Sequence, residues 1–219
     1  MPLSVLITGF GPFPGAPQNP TGPLARRLAE LRRPAFEDLR AVAHVLETSY
    51  AAVDRELPAL IDRHRPDIVL LFGLAARTRH LRIETRARNR RSTLFPDVDG
   101  YRPEEATISA GAPGSVASRA PHRRLVSAAR STGIEARLSH DAGRYLCNFA
   151  YWRALQLGRG SDRPPLVQFV HVPMAECGPV PRPARTDHAL AELVGAGEAI
   201  LLALVAAARD EAVRQSASA

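Results

Sequence analysis

The sequence predicts an α/β fold: a three-layer α/β/α sandwich around a twisted, mostly parallel sheet. Three observations carry this. Short, continuous apolar runs such as DIVLLF at Asp67–Phe72 and LVQFVHV at Leu166–Val172 suit strands covered on both faces. Between such runs lie segments whose apolar residues recur at helical spacing. The two kinds of segment alternate along the chain, the pattern of strand–helix units. The 219 residues suffice for one sizeable core. With no internal repeat and no linker, residues 1–219 read as one domain.

Leu3–Ile7 is short, apolar and β-branched, hence a buried strand, and TGFGPFPGAPQNPTGP after it is dense in Gly and Pro, hence a loop. Phe10 and Phe13 are the large apolar groups of that loop. They serve either as anchors in the core or as walls of an apolar pocket. Pro20 and Thr21 open a helix carrying Leu24, Leu28 and Leu31. Leu39–Leu46 is a second strand. Ala51–His64 is an amphipathic helix with Val53, Leu57, Leu60 and Ile61 inward, and Gly73 ends the strand at Asp67–Phe72.

Leu81–Asn89 alternates loosely and reads as extended. Arg90–Ser118 shows little periodicity, and a loop that long is functional or carries short strands of its own. Pro121–Ser131 is helical through Leu125, Val126 and Ala129, and Ile134–Ser139 is the next strand. CNFAYWRALQL starts another helix at Cys147. After the strand Leu166–Val172, Thr186 or Asp187 caps a long last helix through Leu190, Leu193, Ile200, Leu204 and Val205. The tail QSASA reads as frayed.

Composition narrows the function classes. The net charge is +7, yet every basic residue is Arg, which excludes Schiff-base lysine chemistry and the lysine of a phosphate loop. The Arg residues are spread along the chain, usually beside Glu or Asp, and aromatics make up 5%, so a nucleic-acid partner is not expected. No apolar run reaches the roughly 18 residues of a membrane span, so no membrane partner is expected either. MPLSVLITGF reads as a first strand instead of a signal peptide, giving a cytoplasmic expectation. Cys147 and Cys177 make no disulfide framework, and both are expected as thiols.

The chemistry gathers around Ser139–Asn148, SHDAGRYLCN. A polar, glycine-containing stretch ends a strand and opens directly into a helix at Cys147. Unpaired N–H groups and the positive end of the dipole at a helix start both favour thiolate, the nucleophilic form. Nucleophilic catalysis by Cys also needs a base and a group to orient it. His171, at the end of LVQFVHVP, and Glu84, in LRIETRARN, are the candidates. Spacing alone leaves the other reading open, in which Cys147 is a small buried hydrophobe, His171 a core histidine and Glu84 a solvated strand carboxylate.

Four segments, in this order, resemble motifs of one family. TGFGPF with NPTGPLA is similar to an N-terminal TGFxPF…NP segment. GLAARTRHLRIETRARN is similar to a glycine-led segment carrying a glutamate. SHDAGRYLCN resembles a nucleophile motif, and FVHVP a histidine motif. The family is pyroglutamyl peptidase I, the pyrrolidone-carboxyl peptidases, and the likeness runs from Leu3 to Pro173. The resemblance implies a cysteine exopeptidase that removes N-terminal pyroglutamate. Cys147 would be the nucleophile, His171 the base and then acid, and Glu84 the group orienting His171. It implies Phe10 and Phe13 as walls for the pyroglutamyl ring, with Phe95, Tyr145 and Leu146 near the same pocket. The partner would be a peptide or small amide with an N-terminal pyroglutamate. No metal and no cofactor are expected, Cys177 is read as structural, and a homo-oligomer is left open.

The chain departs from the family pattern at several places. Leu74, Ala76 and Arg77 stand where the family has glutamine and two glycines, and the family's Glu-Arg pair is Glu84–Thr85. LFPD at Leu94–Asp97 aligns with the family's RIPD, so Leu94 replaces an arginine associated with the active site. Arg90 or Arg91 are candidate substitutes for its charge. These departures keep two alternatives in view: a related cysteine amidohydrolase acting on another small acyl or cyclic amide, and a catalytically weak binding homologue.

Overall fold

The computed structural model describes residues 2–159, 163–176 and 188–216. Cys177, expected as a structural thiol, and Thr186 and Asp187, expected as helix caps, lie outside the described residues, as does most of the QSASA tail.

In chain order the elements are β1 (Leu3–Phe10), α1 (Thr21–Ala29), β2 (Leu39–Leu46), α2 (Tyr50–His64), β3 (Ile68–Leu74), β4 (Leu81–Glu84), β5 (Arg86–Arg88), β6 (Ser115–Ala117), α3 (His122–Arg130), β7 (Ala136–Ser139), α4 (Leu146–Arg159), β8 (Leu166–Val172), β9 (Ala175–Glu176), β10 (His188–Ala189) and α5 (Leu190–Ser216). The main sheet has the order β2-β1-β3-β8-β4-β7. All its pairings are parallel except β4 against β8. β5 and β6 pair antiparallel beside it, and β9 and β10 form a short parallel pair.

Helices cover both faces, as the alternating pattern predicts. On one face Leu24 and Leu28 of α1, Leu125 of α3 and Leu193, Ile200, Leu204 and Val205 of α5 pack on Ile7, Leu70 and Val170. On the other, Val53 and Leu57 of α2 and Phe149, Tyr151, Trp152 and Leu155 of α4 pack on Leu6, Leu71 and Phe169. Burying each large side chain of this kind contributes about 1.5–3 kcal/mol, which holds α4 firmly on the sheet. α5 is long and apolar enough to cross a membrane by length and composition. Here its apolar stripe is packed in the core and its Glu198 pairs with Arg33 at 2.7 Å.

Several elements differ from the sequence expectation, each for a tertiary reason. β1 runs on to Phe10, past the predicted end at Ile7, because β2 pairs with it residue for residue as far as Leu46. Phe10 is therefore a strand residue, and only Phe13 lies in the loop, where it bridges Ala16. Gly73 lies inside β3 and pairs with His171 of β8. Leu31 falls beyond α1, and α2 carries Pro58 within it. In Arg90–Ser118 regular pairing is confined to β6. The rest is held by backbone bonds, such as Arg91 N–H to Ala106 O and Val98 N–H to Thr48 O, and by side chains: Asn89 Oδ1 accepts from Ile108 and Ser109 N–H, and Asp97 accepts from Tyr50, Asp99 and Tyr101 N–H.

Candidate active site

The nucleophile segment is built by a sharp change of direction. β7 ends at Ser139, Gly143 adopts φ +84, and α4 begins at Leu146. Only glycine takes that φ without strain, and Asp141 Oδ1 accepts the Gly143 N–H at 3.1 Å to close the turn. Phe149 N–H donates to Tyr145 O, the first bond of the helical ladder. Cys147 precedes that bond, so its N–H belongs to the first-turn donors that lack an intrahelical acceptor. Its thiol is half-buried.

Asn148 is fully buried and fixes the neighbouring segment. Its Oδ1 accepts the Arg88 N–H at 2.8 Å, and its Nδ2 donates to the carbonyls of Arg88 and Arg90. Gly73 supplies the space for the sulfur: a Cβ there would lie 2.7 Å from Cys147 Sγ and 2.6 Å from the Phe169 ring.

His171 stands near the end of β8, its ring 4.9 Å from that of Phe169. Its Nδ1 lies 2.8 Å from Glu84 Oε1, and Cys147 is near enough for its charge and a hydrogen bond to act on the same imidazole. Three groups distant in sequence thus come together, as the sequence reading requires. Burial alone would push the His171 pKa down, but the charge of and hydrogen bond to Cys147, then the bond to and charge of Glu84, outweigh it and raise it to about 9. The imidazolium form is therefore favoured at neutral pH.

Glu84 is fully buried and held from both sides. Its backbone carbonyl accepts from Tyr151 Oη at 3.0 Å and Gln168 Nε2 at 2.9 Å. Burial raises the Tyr151 pKa and so keeps the phenol a donor. Arg82 Nε approaches Glu84 Oε1 at 3.2 Å. Sequence patterning did not single out Arg82, Tyr151 or Gln168, and gave Gly73 only as the end of a strand and the head of a motif.

The residues expected around the pocket are placed unevenly. Phe10, Leu146 and Phe149 are buried in the cluster that Tyr145 and Cys147 pack against. Tyr145 is half-buried, donates from Oη to Pro96 O at 2.8 Å, and meets the Tyr50 ring edge-on. Phe13 is half-buried in its loop. Leu94 and Phe95 are 74% and 64% exposed. Arg90 is exposed, and Arg91 donates from Nε to Glu105 O at 3.0 Å while its charge is felt at Tyr50. Among the described residues no group of His, Cys, Asp and Glu could hold a metal ion.

Comparison with known proteins shows the family and the fold. Residues 3–208 match the model of the family described as pyroglutamyl peptidase. The pyrrolidone-carboxylate peptidase of Thermococcus onnurineus is 33% identical over 199 residues, covering 91% of this chain and 97% of that one. That of Thermococcus kodakarensis is 33% identical over 173 residues, 79% of this chain and 82% of the relative. Among solved structures, the pyrrolidone carboxyl peptidase from Thermococcus litoralis superposes with a TM-score of 0.84 at 27% identity, over 95% of this chain and 96% of that one. The pyroglutamyl peptidase I of Bacillus amyloliquefaciens gives 0.81 at 25% identity, over 93% and 97%.

Proposed function

The chain belongs to the pyroglutamyl peptidase family, a family of cysteine exopeptidases, and on that premise we propose that it hydrolyses the amide bond after an N-terminal pyroglutamyl residue, with Cys147, His171 and Glu84 carrying the reaction. The observation behind this reading is the chain of contacts Glu84–His171–Cys147, with 2.8 Å between carboxylate and imidazole.

Each step follows from that geometry. The Cys147 thiolate attacks the pyroglutamyl carbonyl carbon, and the C=O π pair moves to oxygen. The Cys147 N–H at the head of α4 faces the developing oxyanion. Collapse breaks the C–N bond, and His171 passes its proton to the leaving amine. A thioester remains. Neutral His171 then takes a proton from water as the water attacks. The second tetrahedral species expels the thiolate, releasing pyroglutamic acid and restoring the imidazolium. Glu84 holds the ring so that its other nitrogen faces sulfur, as the third member of such triads does. The apolar cluster that contains Phe10, and against which Tyr145 and Cys147 pack, suits a small neutral ring nearby, and a reducing, cytoplasmic setting suits a nucleophile that must remain a thiol.

One observation favours a second reading, a cysteine amidohydrolase for another small acyl amide: Leu94 and Phe95, at positions where the resemblance implies an arginine and a pocket residue, are exposed. A panel of fluorogenic amides separates the two. Turnover of the pyroglutamyl amide, absent in Cys147→Ala, supports the proposal. Turnover confined to other acyl amides supports the second reading.

A further inference from the structure

Glu84 has a second cationic partner besides the imidazole. Its side chain is fully buried, and a buried carboxylate is costly unless paired and hydrogen-bonded. Oε1 is shared: His171 Nδ1 lies 2.8 Å away and Arg82 Nε 3.2 Å away. Two residues apart on one strand, Arg82 and Glu84 point to the same side of β4. The antiparallel register sets Arg82 directly opposite His171 and Glu84 opposite Phe169. Guanidinium and imidazole therefore flank one oxygen.

Arg82 has a further attachment. Its Nη2 donates to Ser139 Oγ at 2.7 Å and to the carbonyl of Asp141. Those two residues begin the connection from β7 to the nucleophile helix. The side chain is 26% exposed, so water screens the pair only in part. Position 85, next to the carboxylate, carries no charge. Thr85 Oγ1 instead bonds Ser139 O and His140 Nδ1.

We propose that Arg82 is a positioning residue of this site: its guanidinium fixes the Glu84 carboxylate against His171, ties it to the segment leading to Cys147, and provides from position 82 the cation that position 85 lacks. The inference rests on the peptidase reading of the site. The groups facing His171 are Cys147 and, through the Glu84 backbone, Tyr151 from α4, and Glu84 and Arg82 from β4. Gly73 of β3 contributes no charge. Of these, Arg82 is the fixed positive charge, and it opposes the proton on His171. Its loss leaves the carboxylate wholly to the imidazolium, which then holds its proton to higher pH.

The test compares wild type, Arg82→Gln and Arg82→Lys. One readout is kcat and KM on a pyroglutamyl amide across pH. The other is the pH profile of Cys147 alkylation by iodoacetamide, followed by peptide mapping, which needs no substrate. For Arg82→Gln, kcat falls on the order of ten- to a hundredfold, the scale of a misplaced catalytic group. KM changes less, and the basic limb and the matching step in alkylation move to higher pH. Arg82→Lys brings the limb back and recovers part of kcat. An unchanged kcat and limb in Arg82→Gln overturns the proposal. So does an equal loss in both variants with the limb unmoved, which marks a purely structural role. Should Arg82→Gln not fold, Arg82→Lys decides: it keeps the charge and loses the fork to Ser139 and Asp141, so kcat falls with the limb in place, and an unchanged kcat overturns the proposal. If wild type does not act on pyroglutamyl amides, the peptidase reading fails, and the alkylation profile still decides on Arg82.

Discussion

Gly73 of β3 lies against Cys147 of α4: a β-carbon at position 73 would sit 2.7 Å from the sulfur and 2.6 Å from the Phe169 ring. Gly73→Ala must therefore displace the thiol, the ring or both. Overpacking of this kind costs about 1–3 kcal/mol of stability. The larger effect is catalytic, because a shift on the order of 1 Å in a reacting group lowers the rate about a hundredfold. Steady-state kinetics beside thermal melts check this. Full activity in a folded Gly73→Ala protein would show that the sulfur works from another position.

Glu84→Gln removes two of the influences that raise His171, its hydrogen bond to the carboxylate and the carboxylate's charge. The basic limb of kcat/KM should move to lower pH, and kcat should fall because the ring is less well oriented. A profile with an unmoved basic limb would detach Glu84 from the titration of His171.

The raised His171 pKa also predicts how stability depends on pH. A histidine whose pKa is higher in the folded state contributes stability that is complete below its unfolded value, 6.5, and is lost as pH rises through about 9. The melting temperature should fall across that window. In Cys147→Ala, which lacks the strongest influence raising His171, the fall should be smaller and should end at lower pH. Calorimetry at closely spaced pH values measures both, and identical curves for the two proteins count against the coupling.

Asn148→Ala leaves three part-buried backbone groups of Arg88 and Arg90 without their side-chain partner. At about 1–3 kcal/mol for each unsatisfied group, this should be among the most destabilising surgical changes near the site. Urea unfolding provides the number. A loss under about 1 kcal/mol, the net worth of one ordinary hydrogen bond, would mean that water or a backbone shift replaces the clamp.

Leu94→Arg tests the exposed rim. Leu94 is 74% exposed, so the change costs little packing, within about 0.5 kcal/mol for a surface site. If position 94 faces the oxyanion, as the resemblance implies, an added cation there should raise kcat with less effect on KM. A full oxyanion donor is worth about 2.7–4 kcal/mol, an upper limit for a flexible surface arginine. Unchanged kcat, with a selective loss in Arg91→Ala or Arg90→Ala, would identify the residue that already fills this role.

The α/β sandwich was legible because continuous apolar runs and helical periodicity are local signals, and Leu39–Leu46 and Leu166–Val172 were bounded correctly from them. Cys147 and His171 were legible because each ends or opens a regular element within a recognisable motif. Arg82, Gly73 and Gln168 were not. Each acts on a residue far away in sequence: Arg82 on Ser139, Gly73 on Cys147, and Gln168 on the Glu84 carbonyl 84 positions earlier. One-dimensional periodicity cannot report which strand lies beside which. The same holds for the end of β1, where pairing with β2 overrides the Gly and Pro signals, and for Arg90–Ser118, whose order comes from the Asn89 and Asp97 side chains together with non-local backbone bonds.

The reversed direction of β4 constrains which insertions and deletions the chain can accept. Arg82 meets His171, and Glu84 reaches the imidazole, only in one alignment of β4 on β8. A slip by one residue would turn both charged side chains to the opposite face and bring Ile83 toward the imidazole side. Residues 75–80, which lead into β4, can change in length only if the strand re-enters at the same step. The tip of the 90–118 loop, anchored at its base by Asn89, faces no such requirement. A library of single-residue insertions, sorted by activity, should show a gap over the approach to β4 and tolerance around the exposed Glu104.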